Sequence, residues 1–109
     1  MRELKWTEAE KKLSRRAFEV ALQAGLAEVL QDFKARAAAA QTPEDMWPVE
    51  QFLDQRRREL AAKYDYRYSQ LILVFGRLTR ERRLTEAQLQ GLSQDKLEFI
   101  RRIAEVREL

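Results

Sequence analysis

Cysteine and histidine are both absent from this 109-residue chain. Their absence excludes disulfides, thiol nucleophiles, thiolate or imidazole zinc sites, serine–histidine–acid triads and histidine proton switches. Glycine occurs three times and proline twice, which leaves few places to turn and almost no glycine to cradle a phosphate. No apolar run approaches the ~20 residues of a membrane span, and the N-terminal stretch lacks the apolar core of a signal peptide. The expectation is a soluble cytoplasmic protein that is not an enzyme and carries no metal and no cofactor. Any catalysis would fall to carboxylate, Lys, Arg, Tyr or hydroxyl groups.

What the chain does have is charge and strong helix formers. It carries 21 basic and 18 acidic residues for a formal charge of +3. The two signs are interleaved, which describes a solvated surface rather than a nucleic-acid-binding face. At this length folding hides roughly two-thirds of the unfolded chain's surface, so one modest core is possible without staples.

A first helix is expected from Thr7, because Thr7 and Glu10 stand at the spacing of a capping box. Leu22, Leu26, Val29, Leu30, Phe33 and Ala37 then recur at helical spacing as one apolar stripe, followed by alanines up to Ala40. At ~1.5 Å per residue this helix is on the order of 50 Å long, against a radius of gyration near ~13 Å for a domain of this size. Such a rod either folds against a second long helix as a hairpin or finds a second copy; twofold dimerisation is favoured. Gln41-Thr42-Pro43 marks the break, with a short turn over Asp45-Met46-Trp47 and a kink or restart at Pro48. Val49, Phe52, Leu53, Leu60, Tyr64, Leu71, Ile72, Phe75 and Leu78 continue the helical spacing without a further break. Leu71 to Phe75 reads as a buried helix, since no strand is available to pair with it. Thr85 and Gln88 form a second capping box that opens a short helix through Leu92, and Ser93 caps a last helix carrying Leu97, Ile100, Ile103 and Val106.

Three groups are candidates for function. Trp47 lies at the helix junction with Phe52 and Leu53 just beyond it and Arg56-Arg57-Arg58 within two turns; Trp and Arg are the types most enriched at interface hot spots. The alternative is that Trp47 plugs the joint and the arginines are merely solvated. Tyr64 and Tyr68 would share a helix face away from Tyr66, a pair better read as buried than as base-stacking. The basic clusters at Lys11-Lys12, Arg15-Arg16, Arg56–Arg58 and Arg80–Arg83 are broken by acidic neighbours, so a contiguous phosphate footprint is disfavoured. Glu44 and Asp45 suit a helix start and need no catalytic explanation.

The stretch Trp47-Pro48-Val49-Glu50-Gln51-Phe52-Leu53, with Arg57, Lys63-Tyr64-Asp65, Arg67, Val74-Phe75, Leu78, Leu89, Leu92 and Asp95-Lys96, resembles the fluorescence recovery protein family of cyanobacteria. The resemblance implies an all-α homodimer: an antiparallel stalk of long helices over about 7–65 and a small helical head over about 66–109, within a single domain 1–109. It also implies a partner, the light-activated orange carotenoid protein, whose return to the inactive form the family accelerates without covalent chemistry. Trp47 and Arg57 fall on family positions tied to activity and to the dimer surface, and Phe52 on a supporting apolar position. Partner binding is thus expected at Trp47, Phe52 and Arg57, and dimer contact at Leu26, Leu30, Phe33, Trp47 and Leu53. Glu50 and Gln51 replace a family histidine and aspartate, while Leu73 and Phe99 replace a phenylalanine and a lysine. These departures, with the unusual Pro48, keep an adaptor for a different protein partner as the alternative, and a nucleic-acid-binding helical dimer behind it.

Overall fold

Four α-helices and two 3-10 turns make up the regular structure of residues 4–106, the part of the chain that the computed structural model describes. The fold is all-α, as expected. Helix α1 runs Glu8–Ala39, α2 Met46–Lys63, α3 Leu71–Arg80 and α4 Gln94–Glu105, with 3-10 turns at Pro43–Asp45 and Ala87–Leu89.

The capping residues act where the sequence placed them. Thr7 Oγ1 accepts from the Glu10 amide at 3.1 Å while Glu10 Oε1 accepts from the Thr7 amide at 3.0 Å, which closes the box that starts α1. Thr85 and Gln88 exchange the same two bonds at 3.3 and 2.9 Å, and Ser93 Oγ accepts from the Lys96 amide to start α4. The segment after Thr85 forms only the 3-10 turn Ala87–Leu89, however, because Gln90 turns extended at φ −62, ψ 131.

Three further expectations change. Helix α2 starts at Met46, not at Pro48. Pro48 therefore sits in the first turn, where its amide would have no intrahelical partner, and no kink is needed. The turn before it is braced by Asp45, whose carboxylate accepts from the Gln41 and Thr42 amides at 2.8 and 3.1 Å; those two bonds, Gln41's first, hold its pKa below the ordinary carboxylate value. Second, the helical pattern from Val49 to Leu78 is interrupted: α2 ends at Lys63 and α3 begins at Leu71. Third, Tyr64 and Tyr68 therefore share no helix face. Tyr68 instead meets Tyr66 edge-on at 5.8 Å.

The chain divides into two compact units, one continuous over Leu22–Tyr64 and one discontinuous, running up to Ala21 and resuming at Asp65. Of the fourteen buried apolar residues among those described, Val29 alone lies in the continuous unit. The discontinuous unit holds the core: Phe75, Leu71 and Leu78 of α3, Leu97 and Ile100 of α4, Leu84, Leu89 and Leu92 between them, and Ala17, Phe18 and Ala21 of α1. In the loop after α2, Tyr66 turns inward. Its ring meets Phe18 edge-on at 4.8 Å under the Arg15 guanidinium at 4.0 Å, and its hydroxyl donates to the Lys11 carbonyl.

One polar group in this core joins distant parts of the chain. Glu10 is buried and its carboxylate accepts from the Thr7 amide, from the Ser93 amide at 2.8 Å and from Lys96 Nζ at 3.1 Å. It thereby serves the first residue of two helix starts, α1 and α4. Lys96 is 4% exposed and completes its shell with the Lys5 carbonyl and the face of Trp6 at 4.8 Å. Burial raises the Glu10 pKa, but the Thr7, Ser93 and Lys96 bonds outweigh it and leave the value lowered.

Candidate functional site

Helix α2 has eighteen residues and none of them is buried. Its inner face meets α1 within the continuous unit. Phe52 lies under the Arg36 guanidinium at 4.1 Å, and Leu60 and Tyr64 close over Gly25, where an added Cβ would stand 3.2 Å from the Tyr64 hydroxyl. Phe33, Ala37 and Ala40 on one side and Met46, Val49, Glu50 and Leu53 on the other line an open cavity of about 310 Å³. Two expected dimer residues, Phe33 and Leu53, are thus brought together in one apolar hollow. Leu26 and Leu30 lie along the same α1 face as Phe33 by helical spacing and are exposed, as is Met46.

Trp47 is 60% exposed and so does not plug the joint. At about 100° per residue, Phe52 stands about 140° round the helix from both Trp47 and Arg57. The three expected partner-binding residues therefore do not form one patch. Trp47 instead shares its face with Gln51, Asp54 and Arg58, and Arg57 flanks that face. Asp54 links the two arginines: Arg57 Nη2 donates to Oδ1 at 2.5 Å and Arg58 Nη2 lies 3.0 Å from Oδ2. The Arg57 bond, helped by the charges of Arg58 and Arg57, holds Asp54 below the ordinary carboxylate pKa. Glu59 is taken by Arg56 at 3.2 Å.

The Arg36–Phe52 contact was invisible in the sequence, since its residues lie on opposite sides of the 40–45 turn and no periodicity relates them. Tyr64 over Gly25 was equally hidden. The chemistry available on α2 is recognition: an indole, two clamped guanidiniums, an amide at Gln51 and an adjoining apolar hollow. Among the described residues no group of Asp and Glu is placed to hold a metal ion, and no helix is long and apolar enough to cross a membrane.

The model of the family described as photoprotection regulator fluorescence recovery protein matches residues 6–104. A fluorescence recovery protein from Synechocystis sp. is 32% identical over 102 residues, covering 94% of each chain. The solved fluorescence recovery protein of Fremyella diplosiphon superposes with a TM-score of 0.86 at 33% identity, covering 94% of this chain and all of that one. The solved Synechocystis protein gives the same TM-score and coverage at 31% identity.

Proposed function

Because this chain belongs to the fluorescence recovery protein family, whose members are photoprotection regulators, we propose that it is a non-catalytic cytoplasmic regulator. In this reading it binds photoactivated orange carotenoid protein and speeds its return to the inactive orange form, ending quenching of the phycobilisome antenna. A binder accelerates such a relaxation only by interacting better with the barrier, or with a compact minor state, than with the open red form.

The observation that carries the reading is that α2 buries none of its residues and leaves Trp47 60% exposed beside two arginines. We assign partner contact to Trp47 and Arg57, with Phe52 holding the opposite side of α2 against Arg36 of α1. The apolar face of Leu26, Leu30, Phe33 and Leu53 is assigned to a second copy of the chain, together with Trp47 from the other face of α2, since an uncovered apolar face of this extent needs a partner. The test is to mix the protein in the dark with photoactivated orange carotenoid protein and follow the red-to-orange absorbance change. A concentration-dependent acceleration supports the function; no change at excess protein refutes it. Trp47→Ala should weaken co-elution with the partner by roughly tenfold or more, the scale of an interface hot spot, and Phe52→Ala by less.

A second reading keeps the fold and changes the partner. It rests on Gln51, which stands on the Trp47 face where the family is expected to carry an aspartate. Gln51 retains hydrogen bonding but not the charge that strengthens a bond to a partner arginine. Under this reading Gln51→Asp would confer or increase acceleration of the carotenoid protein, whereas wild type would show little. Nucleic-acid binding finds less support, because Asp54 and Glu59 engage all three arginines from 56 to 58.

A further inference from the structure

The last turn of α3 ends in a way that chain sterics disfavour. The Arg83 amide donates to the Leu78 carbonyl at 2.8 Å and the Arg82 amide to Thr79 at 3.0 Å, the paired bonds of a Schellman motif. That motif places its C′ residue in the left-handed region, a position usually given to glycine. Here it is Arg82, at φ 62. A side chain there crowds its own backbone in a way that glycine does not.

Arg82 borders an open cavity of about 310 Å³ between the end of α3 and α4, within the discontinuous unit. The floor is apolar: Leu89, Leu97, Ile100 and Ala104. The rim carries Arg80, Arg82 and Arg101 together with Glu86 and Glu105. Two of the arginines are already oriented, Arg101 by Glu86 at 2.5 Å and Arg80 by the Val106 carbonyl at 2.9 Å. The Arg82 guanidinium has no hydrogen-bond or ion-pair partner among the described residues. An unpaired cation is thus held at the mouth of a greasy hollow by a backbone conformation that glycine would adopt more cheaply.

We propose that this cavity binds a small monocarboxylate with an apolar body, whose carboxylate pairs with Arg82 while the body lies on Ala104 and the narrow exposed edges of Leu97 and Ile100. Guanidinium donors match a carboxylate edge in a bidentate manner. A single guanidinium beside an apolar floor suits one carboxylate on an apolar body better than a fully polar phosphate dianion. The site lies apart from the α2 surface and does not depend on the identity of the partner bound there.

The test uses hexanoate as probe, with backbone amide NMR shifts and isothermal calorimetry on the intact chain. Hexanoate should give saturable shifts centred on Thr79, Arg82 and Ala104. Hexanamide, which has the same body without the charge, and inorganic phosphate should each bind at least tenfold more weakly. Arg82→Gly is the decisive variant, because it removes the guanidinium while relieving the backbone: it should unfold at higher denaturant than wild type yet lose hexanoate binding at least fivefold. Absence of saturable shifts overturns the proposal. So does equal binding of hexanamide, equal binding of phosphate, or hexanoate binding retained by Arg82→Gly.

Discussion

Glu10 does the work of two caps and one counterion with a single carboxylate. Each bond it accepts favours the ionised form, and together they overcome the burial that disfavours it. Its pKa is therefore lower folded than unfolded, where the ordinary value is 4.5. The resulting stabilisation is fully present above that ordinary value and is lost as pH falls through the lower folded value. The denaturation midpoint of wild type should fall on acidification below about pH 4.5 more steeply than that of Glu10→Gln, as read by urea melts across pH 3–7. At neutral pH, Glu10→Ala should cost roughly 3–5 kcal/mol, since it strands Lys96 as a buried unpaired charge. Ser14 is the opposite case. It is fully buried in α1 with no hydrogen-bond partner for its hydroxyl among the described residues. Ser14→Ala should raise stability by about 1 kcal/mol, by removing a desolvated hydroxyl and improving helix propensity; a lower melting temperature would contradict this. The Thr7–Glu10 box was legible in the sequence because capping is local. The link from Glu10 to Ser93 and Lys96 was not, because they stand 83 and 86 positions further along the chain and no pattern spans that distance.

Helix α3 illustrates how elements fit one another here. Gly76 lies on its buried face, where an added Cβ would meet the Ile103 side chain at less than 3 Å. The glycine is what lets α3 approach α4 this closely. Gly76→Ala should therefore destabilise the protein by about 1–3 kcal/mol through overpacking, even though alanine is the better helix former by about 1 kcal/mol. Adding Ile103→Ala should return part of that loss in a double-mutant cycle measured by thermal melts, because the clash would be gone. Which elements form was largely readable from spacing and caps: α1 after Thr7, α3 through the Leu71–Phe75 run, α4 after Ser93. The interruption over residues 64–70 was not readable, as it contains neither glycine nor proline. It arises because the Tyr66 ring gains Phe18 and Arg15 of α1 as neighbours and Asp65 and Arg67 pair locally, contacts that outweigh helical continuity. Asp65 and Arg67 each take their pKa shift, down and up respectively, first from that shared hydrogen bond. The expected site was half legible for the same reason. Trp47 and Arg57 were found as exposed chemistry, but Phe52 could not be assigned to the inner face until its partner Arg36 was known.

At the scale of the whole molecule, burial is unevenly shared. The unit that contains Leu22–Tyr64 places one apolar residue, Val29, in a buried position and leaves Leu26, Leu30, Met46, Trp47 and Leu53 exposed. In the proposed homodimer these residues are covered by a second copy. Leu26→Glu should then convert the dimer to a monomer in light scattering, with little loss of α3 and α4 amide protection in hydrogen exchange. A wild-type protein that stayed monomeric and fully folded at micromolar concentration would overturn that assignment. The core-bearing unit has a different consequence, which follows from its discontinuity. Its α1 portion is made long before Ser93 and Lys96, so Ala17, Phe18 and Ala21 must wait, uncovered, at least until the chain resumes the unit at Asp65. A nascent chain stalled before α4 would hold Glu10 without its lysine, and such incomplete products should be the preferred prey of proteases and chaperones.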